Sequence, residues 1–153
     1  MDELDVLVLT EIRVKEEEAI SYQLKGFKQT SKCRVIRGGG GIMIFVKEKF
    51  HIENLEYNFE EAESLVMKIC DRKSKMNFTV VAIYRAPDLK LDNFLSDLDF
   101  WLQNATKKDE TVIMIGDLNI CIKNKSNLNM KYLNTGCPQV LKVMGVMEMS
   151  WKF

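Results

Sequence analysis

Carboxylate and amide side chains follow two apolar, strand-like segments of the chain. Asp117 and Asn119 follow the segment TVIMI at residues 111–115, and Glu11 follows DVLVLT at residues 5–10. Residues i and i+2 of an extended chain point the same way, about 7 Å apart, so Asp117 and Asn119 are expected to face one cleft. Carboxylates without His or Cys partners suit a hard cation such as Mg²⁺, although acidic side chains at strand ends are commonly only solvated.

A phenol and a guanidinium end a third strand-like segment. Tyr84 and Arg85 close the segment FTVVAIYR at residues 78–85, shortly before Pro87. One interpretation is that both side chains reach an anionic ligand, because the planar guanidinium of arginine bonds two phosphate oxygens at once. The alternative for Tyr84 is a half-buried aromatic ring with its hydroxyl in water.

Alternating strand and helix patterns are expected to position these side chains. The clearest helix is predicted over residues 88–106, where apolar side chains recur at i, i+3 and i+4 spacing. The strand, helix and strand between residues 78 and 116 form a crossover unit, whose two strands are expected to be parallel in one sheet. Further strands are predicted at 33–37, 42–47 and 64–69, with a short helix at 14–24 that ends near Gly26, a hairpin tip at 73–75 and a last helix from Pro138.

The glycine run Gly38–Gly41 precedes the apolar segment IMIFVK. It does not match a dinucleotide fingerprint, which needs a third glycine where Met43 or Ile44 stands, and no GK[ST] of a phosphate loop follows anywhere. We therefore expect no nucleotide cofactor. The run is predicted to open or kink a strand where the backbone turns sharply or lies close to another backbone, as only glycine permits.

The composition is that of a single globular domain. Its 153 residues carry 22 Lys+Arg and 22 Asp+Glu, so a globally basic nucleic-acid domain is excluded while a local basic face stays open. No segment approaches the roughly 20 apolar residues of a membrane helix, and the acidic start MDELDVLVLTE is not a signal peptide. The four cysteines form no CxxC pair and there is one histidine, which argues against zinc and favours reduced thiols in a nuclear or cytoplasmic protein.

Five segments, taken in order, carry a resemblance to a known family: LTEI, RGGGGIMIFVK, ESLVMKI, VVAIYRAP and VIMIGDLNI. They resemble the endonuclease/exonuclease/phosphatase superfamily and, more narrowly, the apurinic-type endonuclease domain of non-LTR retrotransposons. The resemblance spans about residues 4–120, which makes residues 1–153 a single partial domain with a divergent tail at 121–153. It implies an α/β fold in which two sheets stack as a sandwich with flanking helices (αββα, DNase I-like), without the terminal strands.

The resemblance also implies a role for each matching residue. Glu11 matches the glutamate that binds the divalent metal, Mg²⁺ or Mn²⁺. Asp117 matches the aspartate that orients or deprotonates the attacking water, and Asn119 matches the asparagine that hydrogen-bonds the scissile phosphate. Tyr84 matches the tyrosine that reaches the phosphate or the water, and Arg85, frequent beside it, is assigned to substrate binding. These residue types suit phosphodiester hydrolysis, which needs charge stabilisation on the phosphate and on the leaving oxygen.

The sequence departs from the family pattern in ways that bear on activity. The upstream asparagine and the later Ser-Asp-His motif are missing, and no histidine follows His51, which matches nothing catalytic and is expected to be exposed. Glu63 also matches the family, in a structural role. The chain is therefore expected to be the central part of the domain and to be catalytically incomplete.

Three functions remain open from the sequence. The first is a metal-dependent endonuclease acting on DNA, with the rest of a retrotransposon polyprotein as its partner, and the Tyr-Arg-x-Pro segment favours it. The second is a non-catalytic nucleic-acid or protein interaction remnant, favoured by the zero net charge and the missing histidine. The third is a phosphatase on small phosphorylated lipids or sugars. The first predicts that Glu11, Tyr84, Asp117 and Asn119 line one cleft.

Overall fold

The structure is a computed structural model that describes residues 4–34, 39–74, 76–106, 111–120 and 140–142. Within these ranges the elements are, in chain order, β1 (Val6–Thr10), α1 (Glu16–Ala19), β2 (Phe27–Lys32), β3 (Ile42–Lys47), β4 (His51–Leu55), β5 (Glu63–Cys70), β6 (Asn77–Tyr84), α2 (Leu91–Thr106), β7 (Thr111–Asp117) and β8 (Val140–Lys142).

The strands form two sheets. The three-stranded sheet has the order β1-β3-β2, with antiparallel neighbours throughout. The five-stranded sheet has the order β4-β5-β6-β7-β8, in which β4, β5 and β6 are antiparallel neighbours while β7 lies parallel to β6 and β8 parallel to β7. The parallel pairing of β6 and β7 confirms the predicted crossover through α2.

The two sheets pack face to face through alternate side chains of their strands. Ile42, Ile44 and Val46 of β3 pack in one buried cluster with Met67 and Ile69 of β5 and with apolar residues of β6. Strand β3 is buried from Ile42 to Val46 because its other face is covered as well: Met43 and Phe45 pack with Ala19 of α1. A strand buried on both faces reads as a continuous apolar run, which explains the segment IMIFVK.

Helix α2 covers the outer face of the five-stranded sheet. Its buried side chains Phe94, Leu95, Leu98 and Leu102 form one core cluster with residues of β5, β6 and β7, as the apolar spacing predicts. The layers are therefore helix, sheet, sheet and helix. In the described ranges, no helix has both the length and the apolar composition needed to span a membrane.

Four local predictions are wrong in detail. The strand predicted at 33–37 lies earlier, at Phe27–Lys32, and leaves Cys33 and Arg34 outside any strand, while residues 35–37 are outside the described residues. The helix predicted at 14–24 is only Glu16–Ala19. Strand β4 was not predicted. Val140–Lys142, within the predicted last helix, pairs with β7 as a strand. In β2, β4 and β8, pairing with a neighbouring strand outweighs the local sequence pattern.

An aromatic and polar network fastens α2 to the connection between β4 and β5. The Tyr57 hydroxyl donates to Asp97 Oδ1 at 2.6 Å, and the Glu60 amide donates to Asp97 Oδ2 at 3.0 Å. The Tyr57 ring packs edge-on against Phe59 and Trp101. Burial, and then the Asp97 carboxylate, raise the pKa of Tyr57 to about 12.

This network predicts a loss of stability in alkali. An unfolded tyrosine ionises near pH 10 whereas folded Tyr57 stays protonated to about 12, so the unfolded state releases its proton first. The stabilisation is therefore fully present below about pH 10 and is lost between about pH 10 and 12. Since Tyr57 is half-buried, we expect a loss of about 1–2 kcal/mol.

The measurement is urea unfolding of the parent chain and of Tyr57→Phe at about pH 9 and about pH 11.5, on either side of the tyrosine titration. The parent should lose more stability between these two conditions than Tyr57→Phe does. Equal losses in the two proteins would show that Tyr57 is not responsible.

Candidate active site

Glu11 lies in a turn that follows β1. Glu11 and Arg13 both have left-handed backbone conformations, with φ of 55° and 53°. The turn is held by the glycine segment, because the Ile12 amide donates to Gly41 O at 3.3 Å and the Arg13 amide donates to Gly40 O at 3.0 Å. The Glu11 side chain is 40% exposed and is ion-paired with the guanidinium of Arg13. A carboxylate that stays this accessible can still accept a ligand.

The glycine segment kinks the chain into β3, as predicted for its described part. Gly40 and Gly41 have φ of 80° and 87°. A β carbon on Gly40 would lie 2.5 Å from Glu63 Oε1, and one on Gly41 would lie 2.8 Å from Cγ1 of Ile12. The positive φ favours glycine at both positions, and at Gly41 the side chain of Ile12 also leaves little room for a β carbon. Gly38 lies outside the described residues.

Tyr84 and Asp117 are aligned at the ends of two neighbouring parallel strands. They are register partners in β6 and β7, and the Arg85 amide continues this pairing by donating to Asp117 O at 2.9 Å. Tyr84 is buried, with 6% of its surface exposed. Asp117 is half-buried. The common end of β6 and β7 therefore presents a phenol and a carboxylate side by side.

Glu11, which follows β1 of the three-stranded sheet, lies close to Tyr84 and Asp117. Burial is the main cause that raises the pKa of Tyr84. The negative charges of Glu11 and Asp117 raise that pKa further, and only the positive charge of Arg34 lowers it. Tyr84 is therefore a neutral hydrogen-bond donor at neutral pH. Glu11, Tyr84 and Asp117 come together between the two sheets.

Asn119 lies beside this group in a geometry that differs from the expected one. Its φ is 49°, its amide donates to Asp117 Oδ1 at 2.9 Å, and its side-chain Nδ2 donates to Arg85 O at 2.9 Å. Leu118 between them is buried. The chain thus turns at Asn119 instead of staying extended, and Asp117 caps the turn, as Asx side chains do. Asn119 remains exposed next to Asp117.

Arg85 differs from the expectation that it reaches an anionic ligand. Its side chain points inward, with 3% of the residue exposed. The guanidinium donates to four main-chain carbonyls, those of Leu118 at 2.8 Å, Asn119 at 2.9 Å, Leu89 at 2.6 Å and Ala86 at 3.2 Å. Burial lowers the pKa of Arg85, and Asp117 acts in the opposite direction. Arg85 therefore fastens the Asn119 turn to the segment after β6.

His51 lies far from this group. It is exposed, begins the edge strand β4 and pairs with Cys70, whose partner in β6 is Asn77. Tyr84 is seven residues further along β6, which is about 23 Å at 3.3 Å per residue. The predicted exposure of His51 is confirmed.

Two residues near the site were not predicted from the sequence. Arg13 is ion-paired with Glu11, and Arg34 is ion-paired with Glu63 while its guanidinium carbon lies 6.0 Å from the centre of the Tyr84 ring. Arg34 and Glu63 are 29 residues apart. The ion pair of Glu63, together with the hydrogen bond from Gly41 N to Glu63 Oε2 at 2.5 Å, agrees with the structural role expected for Glu63.

The site offers oxygen donors and, among the described residues, no closed metal cage. In the described part of the chain, no group of three or more His, Cys, Asp or Glu side chains is placed to hold a metal. Glu11 offers one accessible carboxylate, and Asp117 is close enough to influence the same phenol. Mg²⁺ commonly takes one or two protein carboxylates and completes its shell with water and substrate phosphate.

Comparison with known proteins identifies the fold. No sequence-family profile and no curated protein matches the chain. Solved structures do match it, and three of them are described here. The human Nocturnin catalytic domain with bound sulfate has a TM-score of 0.59 and 15% identity over 84% of this chain. A truncated Caenorhabditis elegans TDP2 has a TM-score of 0.58 and 13% identity over 80% of this chain. A D. rerio TDP2 humanized by 14 mutations has a TM-score of 0.59 and 15% identity over 86% of this chain.

The match covers 55%, 52% and 56% of those three chains, respectively, so this chain spans little more than half their length. Nocturnin and TDP2 are DNase I-like members of the endonuclease/exonuclease/phosphatase superfamily. At these identities the likeness establishes the fold alone. The predicted α/β sandwich is therefore confirmed, and the chain has a DNase I-like fold.

Proposed function

We propose that this chain carries a phosphodiesterase site of the endonuclease/exonuclease/phosphatase type that is directed at DNA, as in the endonuclease domain of non-LTR retrotransposon polyproteins. The observation that carries the proposal is the meeting of Glu11, Tyr84 and Asp117 from three strand ends in two sheets.

Each side chain has a distinct part in this proposal. The neutral hydroxyl of Tyr84, held in place by its buried ring, donates to a phosphate oxygen. Asp117 accepts a hydrogen bond from the attacking water and orients it, and the second Nδ2 hydrogen of Asn119, the one not donated to Arg85 O, binds a second phosphate oxygen. Glu11 holds Mg²⁺ or Mn²⁺, which when bound stabilises the negative charge on the phosphate. Donors aimed at developing charge are the largest contribution to such catalysis.

The 153-residue chain is proposed to be catalytically incomplete. General acid–base catalysis by a histidine contributes about 10²–10⁴-fold, and the one histidine, His51, is at the far end of the sheet. Lysine side chains stay protonated near neutral pH and do not replace an imidazole. Metal and phosphate binding are retained in this proposal, while turnover is not.

The test combines metal binding with plasmid nicking. Mn²⁺ binding, followed by electron paramagnetic resonance, is expected for the parent chain and is expected to be lost in Glu11→Ala. Conversion of supercoiled plasmid to nicked circles in Mg²⁺ is expected to stay at background. Absence of Mn²⁺ binding by the parent would contradict the proposed site. Nicking by the parent that both Glu11→Ala and Asp117→Ala abolish would contradict the incompleteness and support an active endonuclease.

A non-catalytic nucleic-acid or protein interaction module is the second candidate, because the only histidine of the sequence lies far from the aligned strand ends. DNA affinity measured over a range of salt concentrations separates the candidates. Binding to phosphates weakens steeply as salt rises. Salt-dependent DNA binding that Glu11→Ala and Asp117→Ala leave unchanged would favour the interaction module. Phosphate release from a phosphorylated lipid or sugar, without DNA binding, would favour a small-molecule phosphatase.

A further inference from the structure

Arg34 contacts Glu63 and the ring of Tyr84, but it is not one of the candidate site residues. Its guanidinium is ion-paired with Glu63, and its central carbon lies 6.0 Å from the centre of the Tyr84 ring. The side chains of Arg34 and Glu63 are only 25% and 19% exposed. An ion pair shielded in this way is screened less by solvent than an exposed one.

The Glu63 carboxylate connects Arg34 to the turn that carries Glu11. Its Oε2 accepts from the Gly41 amide at 2.5 Å, and the carbonyls of Gly41 and Gly40 accept from the amides of Ile12 and Arg13. The fit is tight, because a β carbon on Gly40 would lie 2.7 Å from Nε of Arg34. A continuous set of contacts thus runs from Arg34 to the turn that presents Glu11.

We propose that Arg34 is a positioning residue that fixes the Glu11 turn and the Tyr84 ring relative to each other. The use made of Glu11 and Tyr84 rests on the proposed function, but their positioning does not. Glu11 and Arg13 are both in left-handed conformations that L residues rarely adopt, and such backbone persists only where the surroundings enforce it. Without Arg34, the Glu63 carboxylate is left part-buried and unpaired, moves towards water and releases the Gly41 amide.

Amide hydrogen exchange tests the positioning directly. In Arg34→Ala the amides of Ile12 and Arg13 are expected to exchange at least about tenfold faster by local opening, while the Val80 and Val81 amides of the central strand are unchanged. Arg34→Lys keeps a charge for Glu63 and should recover part of the protection. The matched control is Arg72→Ala, at the exposed hairpin tip, which should change neither set.

The contrary outcomes are distinct. Unchanged exchange at Ile12 and Arg13, or an equal acceleration at Val80 and Val81, would overturn the proposal, because the first removes the coupling and the second indicates general destabilisation. If Arg34→Ala does not fold, Arg34→Gln, which retains a donor but no charge, takes its place under the same criteria.

Mn²⁺ affinity provides a readout that a merely structural role would not move. Residues that orient a metal ligand typically contribute tenfold or more to metal affinity, so Arg34→Ala is expected to weaken Mn²⁺ binding by about tenfold, measured under conditions where circular dichroism shows the variant to be as folded as the parent. Equal affinity in the parent and Arg34→Ala would contradict the positioning of Glu11. Lack of Mn²⁺ binding by the parent would contradict the proposed function alone, and the exchange rates would still decide the role of Arg34.

Discussion

Replacing Gly116 by alanine is expected to lower the free energy of unfolding by about 3–5 kcal/mol, among the largest effects of a single substitution. Gly116 in β7 is the register partner of Ile83 in β6, and its φ is 151°. A β carbon there would overlap the carbonyl oxygen of Ile83 and lie 2.8 Å from the carbonyl carbon. Because all of these atoms are main chain, no side-chain rotation relieves the overlap, and the two strands have to separate.

Gly26→Ala is the matched control. Gly26 also has a positive φ, 82°, but a β carbon on it would meet nothing within 4 Å. Its substitution carries the conformational strain alone, about 1–2 kcal/mol. Urea unfolding followed by circular dichroism compares the two variants with the parent. A Gly116→Ala chain as stable as Gly26→Ala would contradict the close approach of β6 and β7.

The close approach of β6 and β7 at Gly116 explains why β7 ends in a Gly-Asp pair. Strand separation at Gly116 displaces the next pair in the register, Tyr84 and Asp117. The glycine therefore allows β6 and β7 to approach closely enough to align the phenol with the carboxylate. A partly folded Gly116→Ala chain should for the same reason lose Mn²⁺ or phosphate binding before it loses its secondary structure.

The sequence predicts those elements whose pattern depends on burial. The spacing of apolar residues locates α2, and continuous apolar runs locate β1, β3, β6 and β7. The strands it misses or misplaces, β2, β4 and β8, are all edge strands. The sequences of β2 and β4, FKQTSK and HIENL, are largely polar, because an edge strand with one solvated face needs few apolar residues.

The sequence predicts which residue types form the site, but it does not predict where their side chains point. Strand ends place Tyr84 and Asp117 together because parallel register is set by the crossover. The turn at Asn119 and the ion pair of Arg34 with Glu63 depend on backbone conformations and on contacts between distant segments, about which local patterns carry no information. The narrower likeness to retrotransposon endonucleases rests on the motifs alone.

The second large effect is expected at Arg85. The sequence assigns Arg85 to substrate binding, whereas in the structure its guanidinium donates to main-chain carbonyls. Arg85→Met keeps the length of the side chain but removes every donor. It leaves the carbonyls of Leu118, Asn119, Leu89 and Ala86 without the guanidinium. A hydrogen bond to a charged group contributes about 1.5–3 kcal/mol, and such contributions do not add fully. We expect the free energy of unfolding to fall by about 3–5 kcal/mol, comparable to breaking other buried charged contacts.

Arg85→Lys and Arg13→Met complete the experiment. The ammonium of lysine has three donors in a tetrahedral arrangement and does not replace a planar guanidinium that serves four acceptors, so Arg85→Lys should be intermediate. Arg13 is an exposed arginine close to the same site, and Arg13→Met should leave stability unchanged within error. Urea unfolding gives the stabilities, and phosphate binding is measured on the folded fraction. If Arg85→Met keeps the stability of the parent but loses phosphate affinity, Arg85 contacts the substrate as its sequence position implies. If stability falls and Arg85→Lys restores part of it, the guanidinium acts on the Asn119 turn, and through that turn on the Asp117 carboxylate that caps it.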